Sequence, residues 1–410
     1  MIQVEDAAAP RCYHVAMHTP LPIQDELRRR VPPGTGVLLA LSGGVDSALS
    51  LAILRALDCD VLAVTFKNFC YGEAEAEAEA AGAAGERSCC SLEAVADARR
   101  LADRFGARHW VHDVSARFQA QVIVPFVDDY AAARTPNPCL ACNSRVRFPE
   151  LLRLADQQGC RFVATGHYAR VRSLGDGDAE LLRGVDPEKD QSYFLSQVSR
   201  SVWPRVVFPL GWATKRDVRA AAHALGLAVA DKPESQEICF VPDGDRSVLF
   251  AASQAGRPGP IVDRGGRVLG THRGLIHYTV GQRRGLNVAH TEPLYVLALE
   301  PADNRLVVGT LAELGVRRLV CDRFQPAVAS LPAEGPAAGT GDCQVRVRHR
   351  HAGARVAAWH QSADVLTVDL AEPVYGAAPG QGLTLYEGDR VLGAGRLVPA
   401  AAATCANAEA

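Results

Sequence analysis

The stretch Leu38-Leu39-Ala40-Leu41-Ser42-Gly43-Gly44-Val45-Asp46-Ser47 restricts the fold of this chain more than any other. Residues 36–41 form an apolar run suited to a buried strand, and Asp46 to Leu57 carries apolar residues at helical spacing. At the joint, Gly43 and Gly44 let the backbone approach an anion with no side chain in the way. The helix that follows points its free N–H groups and its positive dipole end at the same place. Ser42 and Ser47 add hydroxyl donors, and Asp46 is placed to hold Mg2+ beside phosphates. No Gly-Lys-Ser/Thr closes the loop, so it is not a Walker A loop. An ordinary glycine-rich turn between strand and helix is the competing reading.

The pattern around this joint repeats. Strands are expected at 60–66, 108–113 and 161–165, and helices at 92–105, 115–132 and 144–158, with a Pro/Cys loop at 136–142. Such alternation predicts a Rossmann-like parallel sheet with helices on both faces, whose ligands sit beyond the carboxyl ends of the strands. Ser42-Gly43-Gly44 and Thr165-Gly166-His167 both fall there. A further helix fits 214–225. From Leu294 onward, short alternating runs (Leu294–Leu299, Arg305–Val308, Cys343–Arg348, Val365–Leu370, Gly382–Tyr386) punctuated by Gly, Pro and Asp predict a β-barrel. The expected organisation is an extension over 1–34, an α/β domain over 35–245, a small central domain over 246–290, a barrel domain over 291–398 and a disordered tail over 399–410. The Glu/Ala-rich stretch 73–86 is an insertion with no assigned role.

Composition excludes several classes. The net charge of −2 gives no global basic signature, so a nucleic-acid partner would have to meet a local patch. No apolar run is long enough to span a bilayer, and no membrane partner is expected. Neither a secretory signal nor a transit peptide is recognisable, which makes a cytoplasmic enzyme the default. The 12 cysteines then point to reduced thiols, metal or catalysis rather than a disulfide framework. The close pairs Cys89-Cys90 and Cys139-x-x-Cys142 stand out; adjacent cysteines rarely bridge to each other.

The Ser-Gly-Gly-Val-Asp-Ser loop resembles the pyrophosphate loop of enzymes that split ATP between its α- and β-phosphates. Six further motifs resemble those of one family. They are Phe66-Lys67-Asn68, the run from Thr135 to Asn143 (TPNPCLACN), the run from Ala164 to Arg170 (ATGHYAR), Lys189-Asp190-Gln191-Ser192-Tyr193-Phe194-Leu195, Ser235-Gln236-Glu237-Ile238-Cys239-Phe240, and Tyr278-Thr279-Val280-Gly281-Gln282-Arg283. In number, order and spacing, from about 36 to 397, they resemble the bacterial tRNA-specific 2-thiouridylases.

The resemblance implies that ATP adenylates the 2-carbonyl oxygen of the wobble uridine of a tRNA anticodon. A protein persulfide then supplies sulfur as AMP departs. It implies an ATP site at Ala40, Leu41, Ser42, Gly43, Gly44, Val45, Asp46, Ser47, Phe66 and Gly166, with Mg2+ on Asp46. It makes Cys142 the catalytic cysteine and Cys239 the persulfide carrier, joined by a transient disulfide after transfer. A sulfur-relay protein or a cysteine desulfurase is the implied persulfide donor. It places tRNA contacts at Asn137, Pro138, Cys139, His167, Lys189, Asp190, Gln191, Arg348, His349 and Gln381. The spacing of Arg346, Arg348 and Arg350 adds an expectation of three guanidiniums on one strand face, with His349 and His351 on the other.

One position departs from the family. Cys139 stands where many members have an aspartate thought to act as acid or base. Cys139, Cys142 and Cys239 could instead form a three-cysteine iron–sulfur site, an alternative less favoured than the persulfide route. Two other functions compete: another ATP-splitting ligase acting on a small molecule, and a non-catalytic tRNA-binding protein with a relic nucleotide site.

Overall fold

The computed structural model describes residues 25–69, 92–233, 238–241, 256–336 and 342–399. The pair Cys89-Cys90, the insertion 73–86, the tail from 400 and residues Ser235 to Glu237 lie outside them.

The α/β unit is built on strands β1 (Gly36–Ala40), β2 (Asp60–Lys67), β3 (Arg108–Asp113) and β4 (Phe162–Ala164). The chain then forms a hairpin of β5 (Ala169–Gly175) and β6 (Asp178–Arg183) and returns through β7 (Val206–Val207). The sheet order is β3-β2-β1-β4-β7, and every pairing in it is parallel. Strand order reverses at β1, whose neighbours are β2 and β4. A crevice therefore opens beyond the carboxyl ends of β1 and β4. Val37, Leu38 and Leu39 of β1 are wholly buried because helices cover both faces.

Two expectations change around this sheet. The extension over 1–34 is anchored at its described end: the helix Asp25–Arg30 buries Leu27, Val31 follows it into the core, and the Arg30 guanidinium donates to the carbonyls of Trp203 and Val206. The segment expected as a Pro/Cys loop is helical from Pro138. Asn137 caps it by accepting from the Cys139 N–H at 3.1 Å, and Pro138 at the first helical position needs no partner for a missing N–H. Helical segments Pro138–Ala141, Cys142–Arg147 and Phe148–Gln157 run on from one another, the middle one wound as a π-helix. Such widened turns are frequent at functional sites.

The central unit contains β8 (Gly259–Val262), β9 (Val268–His272), β10 (Tyr295–Glu300) and β11 (Arg305–Gly309), in the order β10-β11-β8-β9. The runs near 295 and 305, assigned from sequence to the barrel domain, thus pair here, and the unit reaches Gly309 rather than ending at 290. Its core is Ile261, Leu275, Tyr278, Val296, Leu306 and Val308.

The last unit is a closed antiparallel barrel. Its strands are β12 (Gly315–Pro326), β13 (Glu334–Gly335), β14 (Cys343–Arg346), β15 (Ala354–Ser362), β16 (Val365–Tyr375), β17 (Gly382–Glu387) and β18 (Arg390–Val398). The ring runs β12-β16-β15-β14-β17-β18 and closes where β18 pairs with β12. The β5–β6 hairpin of the α/β unit extends it through β6 against β18. This hairpin was not read from sequence, and it welds the two units: Tyr386 and Val391 of the barrel share a core with Leu38, Phe148 and Trp203.

The expected ladder of Arg346, Arg348 and Arg350 does not form. β14 ends at Arg346, Val347 is buried, and residues 348–351 turn. Arg346 itself points inward to Asp190, because a buried carboxylate there requires a cation.

Candidate active site

At the end of β1 the Leu41 N–H still donates to Val64, and then the chain leaves the sheet. The Ser42 N–H donates to Ser47 Oγ at 3.2 Å, and Ser47 Oγ donates to the Gly44 carbonyl at 3.0 Å. These bonds fold the loop over the start of the helix Val45–Ala56, where Gly44 is the N-cap and no side chain caps the exposed N–H groups. An open helix start under a glycine loop is an anion site. Gly43 has φ +74°, and a Cβ there would lie 2.3 Å from the Ala94 carbonyl oxygen. Gly43→Ala should therefore cost about 1–3 kcal/mol of stability, combining left-handed strain with a backbone clash. Gly44→Ala, with nothing nearer than Ser42 Oγ at 3.7 Å, should cost less. Urea midpoints of the two variants check the order.

Gly166, beyond β4, closes the crevice from the other side. A Cβ there would lie 3.0 Å from the Asp46 carbonyl carbon and the Ser47 nitrogen. The two expected ATP-site glycine segments, far apart in sequence, are thus in contact. Phe66 stands at the end of β2 and packs against two cores, one under the sheet and one that includes Cys142 and Cys239. Its ring lies 6.0 Å from that of His112. His112 in turn meets Glu150 at 2.7 Å, a buried carboxylate that Arg153 chiefly holds down to about 2.

Asp46 faces two groups that sequence reasoning missed. Lys215 Nζ donates to both of its oxygens, at 2.8 and 2.9 Å, and the Tyr168 hydroxyl donates to Oδ1 at 2.7 Å. Lys215 is 8% exposed. A signal for it exists: Lys215 opens the helix Lys215–Ala224, where the dipole disfavours a cation unless an anion is near. Both Asp46 oxygens thus accept from donors of this chain, with Lys215 as counter-charge, and a carboxylate of this kind is a ligand type that Mg2+ takes beside nucleotide phosphates.

Among the described residues the thiols divide into two groups. Cys59, Cys160, Cys321 and Cys343 are buried, and burial raises each, Cys59 to about 11 and Cys321 to about 12. They are inert core atoms. Cys139 is exposed, and Cys142 and Cys239 are half-buried. Cys142 and Cys239, 97 positions apart by number (239 − 142), pack against one cluster with Phe118, Phe126, Val146 and Phe240. Among the described residues, no three His, Cys, Asp or Glu side chains group to hold a metal ion.

Residues expected at the tRNA surface fall into different settings. Pro138 is buried in the first helical turn, under the cap that Asn137 makes. Asp190 is 1% exposed and His167 9%. His167 bonds Thr165 Oγ1 at 2.6 Å among Phe148 and Phe208, and burial, helped by Arg147, pushes its imidazole down to about 3. Gln191 accepts from the Tyr168 N–H at 2.9 Å. Asp190 and His167 thus hold the inside of the fold, whereas Lys189 and Gln191 are partly exposed. Gln381 Nε2 donates to the Thr135 carbonyl at 2.8 Å, and the Thr135 N–H donates to Pro379. Thus the barrel holds the chain directly before Cys139. Arg348 is exposed and donates to the Tyr375 carbonyl, and His349 stacks on Phe194 at 4.5 Å.

Comparison with known proteins agrees with this architecture. Residues 35–243 match the family described as tRNA methyl transferase HUP domain, 250–310 the tRNA methyl transferase PRC-barrel domain, and 327–397 the aminomethyltransferase beta-barrel domain. A solved 4-thiouridine synthetase–RNA complex with bound ATP is similar over 50% of this chain and 45% of that one, at 20% identity and a TM-score of 0.33. That likeness is too distant to bear on the site. The tRNA-specific 2-thiouridylase MnmA of Geobacter metallireducens is 43% identical over 364 residues, covering 88% of this chain and 95% of the relative. Its counterpart from Rhizorhabdus wittichii is 42% identical over 399 residues, covering 95% and 100%. Matched nearly end to end at this level, the chain belongs to the tRNA-specific 2-thiouridylase family of enzymes.

Proposed function

We propose that this enzyme thiolates C2 of the wobble uridine of tRNA, using ATP to activate the 2-carbonyl oxygen and a persulfide on Cys239 as the sulfur source. One observation carries the reading: a glycine loop leaves β1 at the switch point of the sheet, and Phe66 on the adjoining strand β2 packs against the cluster on which two half-buried thiols also pack. A carbonyl oxygen is a poor leaving group, and adenylation makes it a good one. The Ser42–Ser47 loop would stabilise the charge growing on departing pyrophosphate. Asp46 would hold Mg2+, which shields phosphate charge when bound, and Lys215 lies within reach of the same charge.

In the sulfur step, the terminal sulfur of the Cys239 persulfide attacks C2 and AMP leaves. The Cys142 thiolate then attacks Cys239 Sγ, breaking the remaining S–S bond. The product keeps the sulfur, and Cys142–Cys239 becomes a disulfide, so two thiols supply the two electrons the sulfane sulfur needs. A sulfur-relay protein or a cysteine desulfurase would reload Cys239. Arg348 and Cys139, which are exposed, and Asn137, Lys189, Gln191, His349 and Gln381, which are partly exposed, are the expected side chains left to meet tRNA directly.

Pyrophosphate release from ATP and 2-thiouridine in a purified tRNA transcript, measured together, test the proposal. Asp46→Ala should lower pyrophosphate release by about 10²–10³-fold, the scale of losing one preorganised electrostatic group, while tRNA retention on filters persists. Pyrophosphate release that ignores tRNA and answers to a small amide or carboxylate instead would favour a small-molecule ligase. No release at all, with tRNA bound, would leave only a binding protein.

A further inference from the structure

We propose that Cys139 is a resolving cysteine: it takes over the disulfide that sulfur transfer leaves on Cys142 and carries it to the surface as a Cys139–Cys142 bond. The inference rests on the proposed function for the origin of that disulfide. The redox chemistry it assigns belongs to this chain's own Cys-x-x-Cys pair.

The geometry supplies three reasons. Cys139 and Cys142 lie one turn apart at the beginning of a helix, directly after the Asn137 cap and Pro138. Residues three apart on a helix have Cβ atoms about 5–6 Å apart, so a disulfide at roughly 3.8 Å needs the two to close by about 1–2 Å. The needed adjustment falls where the helix is already irregular, since the π-wound segment begins at Cys142. Second, the three thiols are graded in exposure. Cys142 and Cys239 are half-buried on the Phe118–Phe240 cluster, and Cys139 is exposed. A Cys142–Cys239 disulfide would be shielded from a bulky reductant, and exchange to Cys139 moves one sulfur into solvent. Third, Cys139 lies in the first helical turn, beside the Asn137 cap.

The step balances without an added oxidant. The Cys139 thiolate attacks Cys142 Sγ, the Cys142–Cys239 bond breaks, and Cys239 leaves as a thiolate that takes up a proton. Cys239 is then free to be reloaded. A dithiol reductant afterwards reduces Cys139–Cys142, taking the oxidation away as its own disulfide. Attack on Cys142 rather than Cys239 follows from position, because Cys142 is on the same helix one turn away.

The experiment has two arms. In the first, the full-length enzyme, persulfide-loaded and freed of reductant, is given ATP and one equivalent of tRNA, quenched in acid, alkylated and mapped by mass spectrometry. The expected bond is Cys139–Cys142 in the natural protein and Cys142–Cys239 in Cys139→Ser. With glutathione as the only reductant, Cys139→Ser should turn over at least about tenfold more slowly, and dithiothreitol should restore it. A Cys142–Cys239 bond in the natural protein with Cys139 alkylated, or unchanged turnover of Cys139→Ser with glutathione, overturns the inference. In the second arm the resting protein is equilibrated in a glutathione redox buffer, with no tRNA or ATP. Cys139–Cys142 should be the bond that forms while Cys239 stays alkylatable; formation of Cys142–Cys239 instead, or of no bond, overturns it. If the first arm yields neither 2-thiouridine nor any new disulfide, the proposed function fails, and the second arm still decides the exchange.

Discussion

Cys142→Ser and Cys239→Ser should each lose at least about 10³-fold in 2-thiouridine formation, the scale seen when a nucleophile is removed, while pyrophosphate release persists. The separation follows from the layout. In the proposed reaction adenylation would use the loop between β1 and the helix Val45–Ala56, whose hydrogen bonds involve Ser42, Gly44 and Ser47. Sulfur transfer would use the two thiols that pack against a different cluster. Serine is close to cysteine in size, so packing against Phe118, Phe126 and Val146 should survive, and unchanged thermal melting would show it. Equal loss of pyrophosphate release and thiolation would place the cysteines in the first step and sink the assignment. Retained thiolation by Cys239→Ser would move the persulfide to another thiol.

Asp190→Ala should destabilise the protein by about 3–5 kcal/mol, the cost of leaving one member of a buried ion pair unpaired. Asp190 Oδ2 accepts from Arg346 at 2.8 Å, and its oxygens also take the Gly184 and Ser192 N–H groups and the Ser192 hydroxyl. Arg183 and Arg346 both stack on Tyr386, at 4.1 and 5.6 Å. Removing the carboxylate takes away the anion that Arg346 pairs with and leaves Arg183 with Asp389 as its nearby anion. Arg183 is already pushed below its ordinary value, by burial first and by Arg346 second. Arg346→Met should cost less, because Asp190 keeps its other three donors. Urea denaturation of both variants, with tRNA retention measured in parallel, checks the claim. A loss below about 1 kcal/mol in Asp190→Ala would mean that water or another group takes over the pair.

How much of the site was legible depended on how local each part is. The glycine loop after β1 is continuous in the chain: strand, two glycines and helix follow in order, and each leaves its own pattern. The parallel sheet and its crevice were therefore readable, and Gly166 could be placed at a strand end by the same pattern. The Lys215 ammonium could not be paired with Asp46 from the sequence, since 169 positions separate them and only the packing of two helices on one face of the sheet joins them. Asp190 lies in a motif that reads as a polar surface turn. Its partner Arg346 sits 156 positions later, in a run that reads as a basic strand. Alternation in that run is real, but it does not say where the strand ends or which face meets another unit.

Cys142 and Cys239 were singled out by the family resemblance, whereas the sequence by itself determined the α/β class, the barrel after it and the glycine loop between the first strand and its helix. These rest on periodicity, glycine freedom and residue chemistry, which act over a few positions. The tertiary structure alone decided that the β5–β6 hairpin would join the barrel to the sheet, that Gln381 would hold the Thr135 carbonyl across 246 positions, and that Asp190 and His167 would face inward. Burial and long-range pairing depend on which surfaces the closed barrel presents to the α/β unit, and no local pattern records that. The contrast between exposed Cys139 and half-buried Cys142, neighbours in sequence, is of the same kind: the helix sets their spacing, and the cluster beneath it decides which of them meets water.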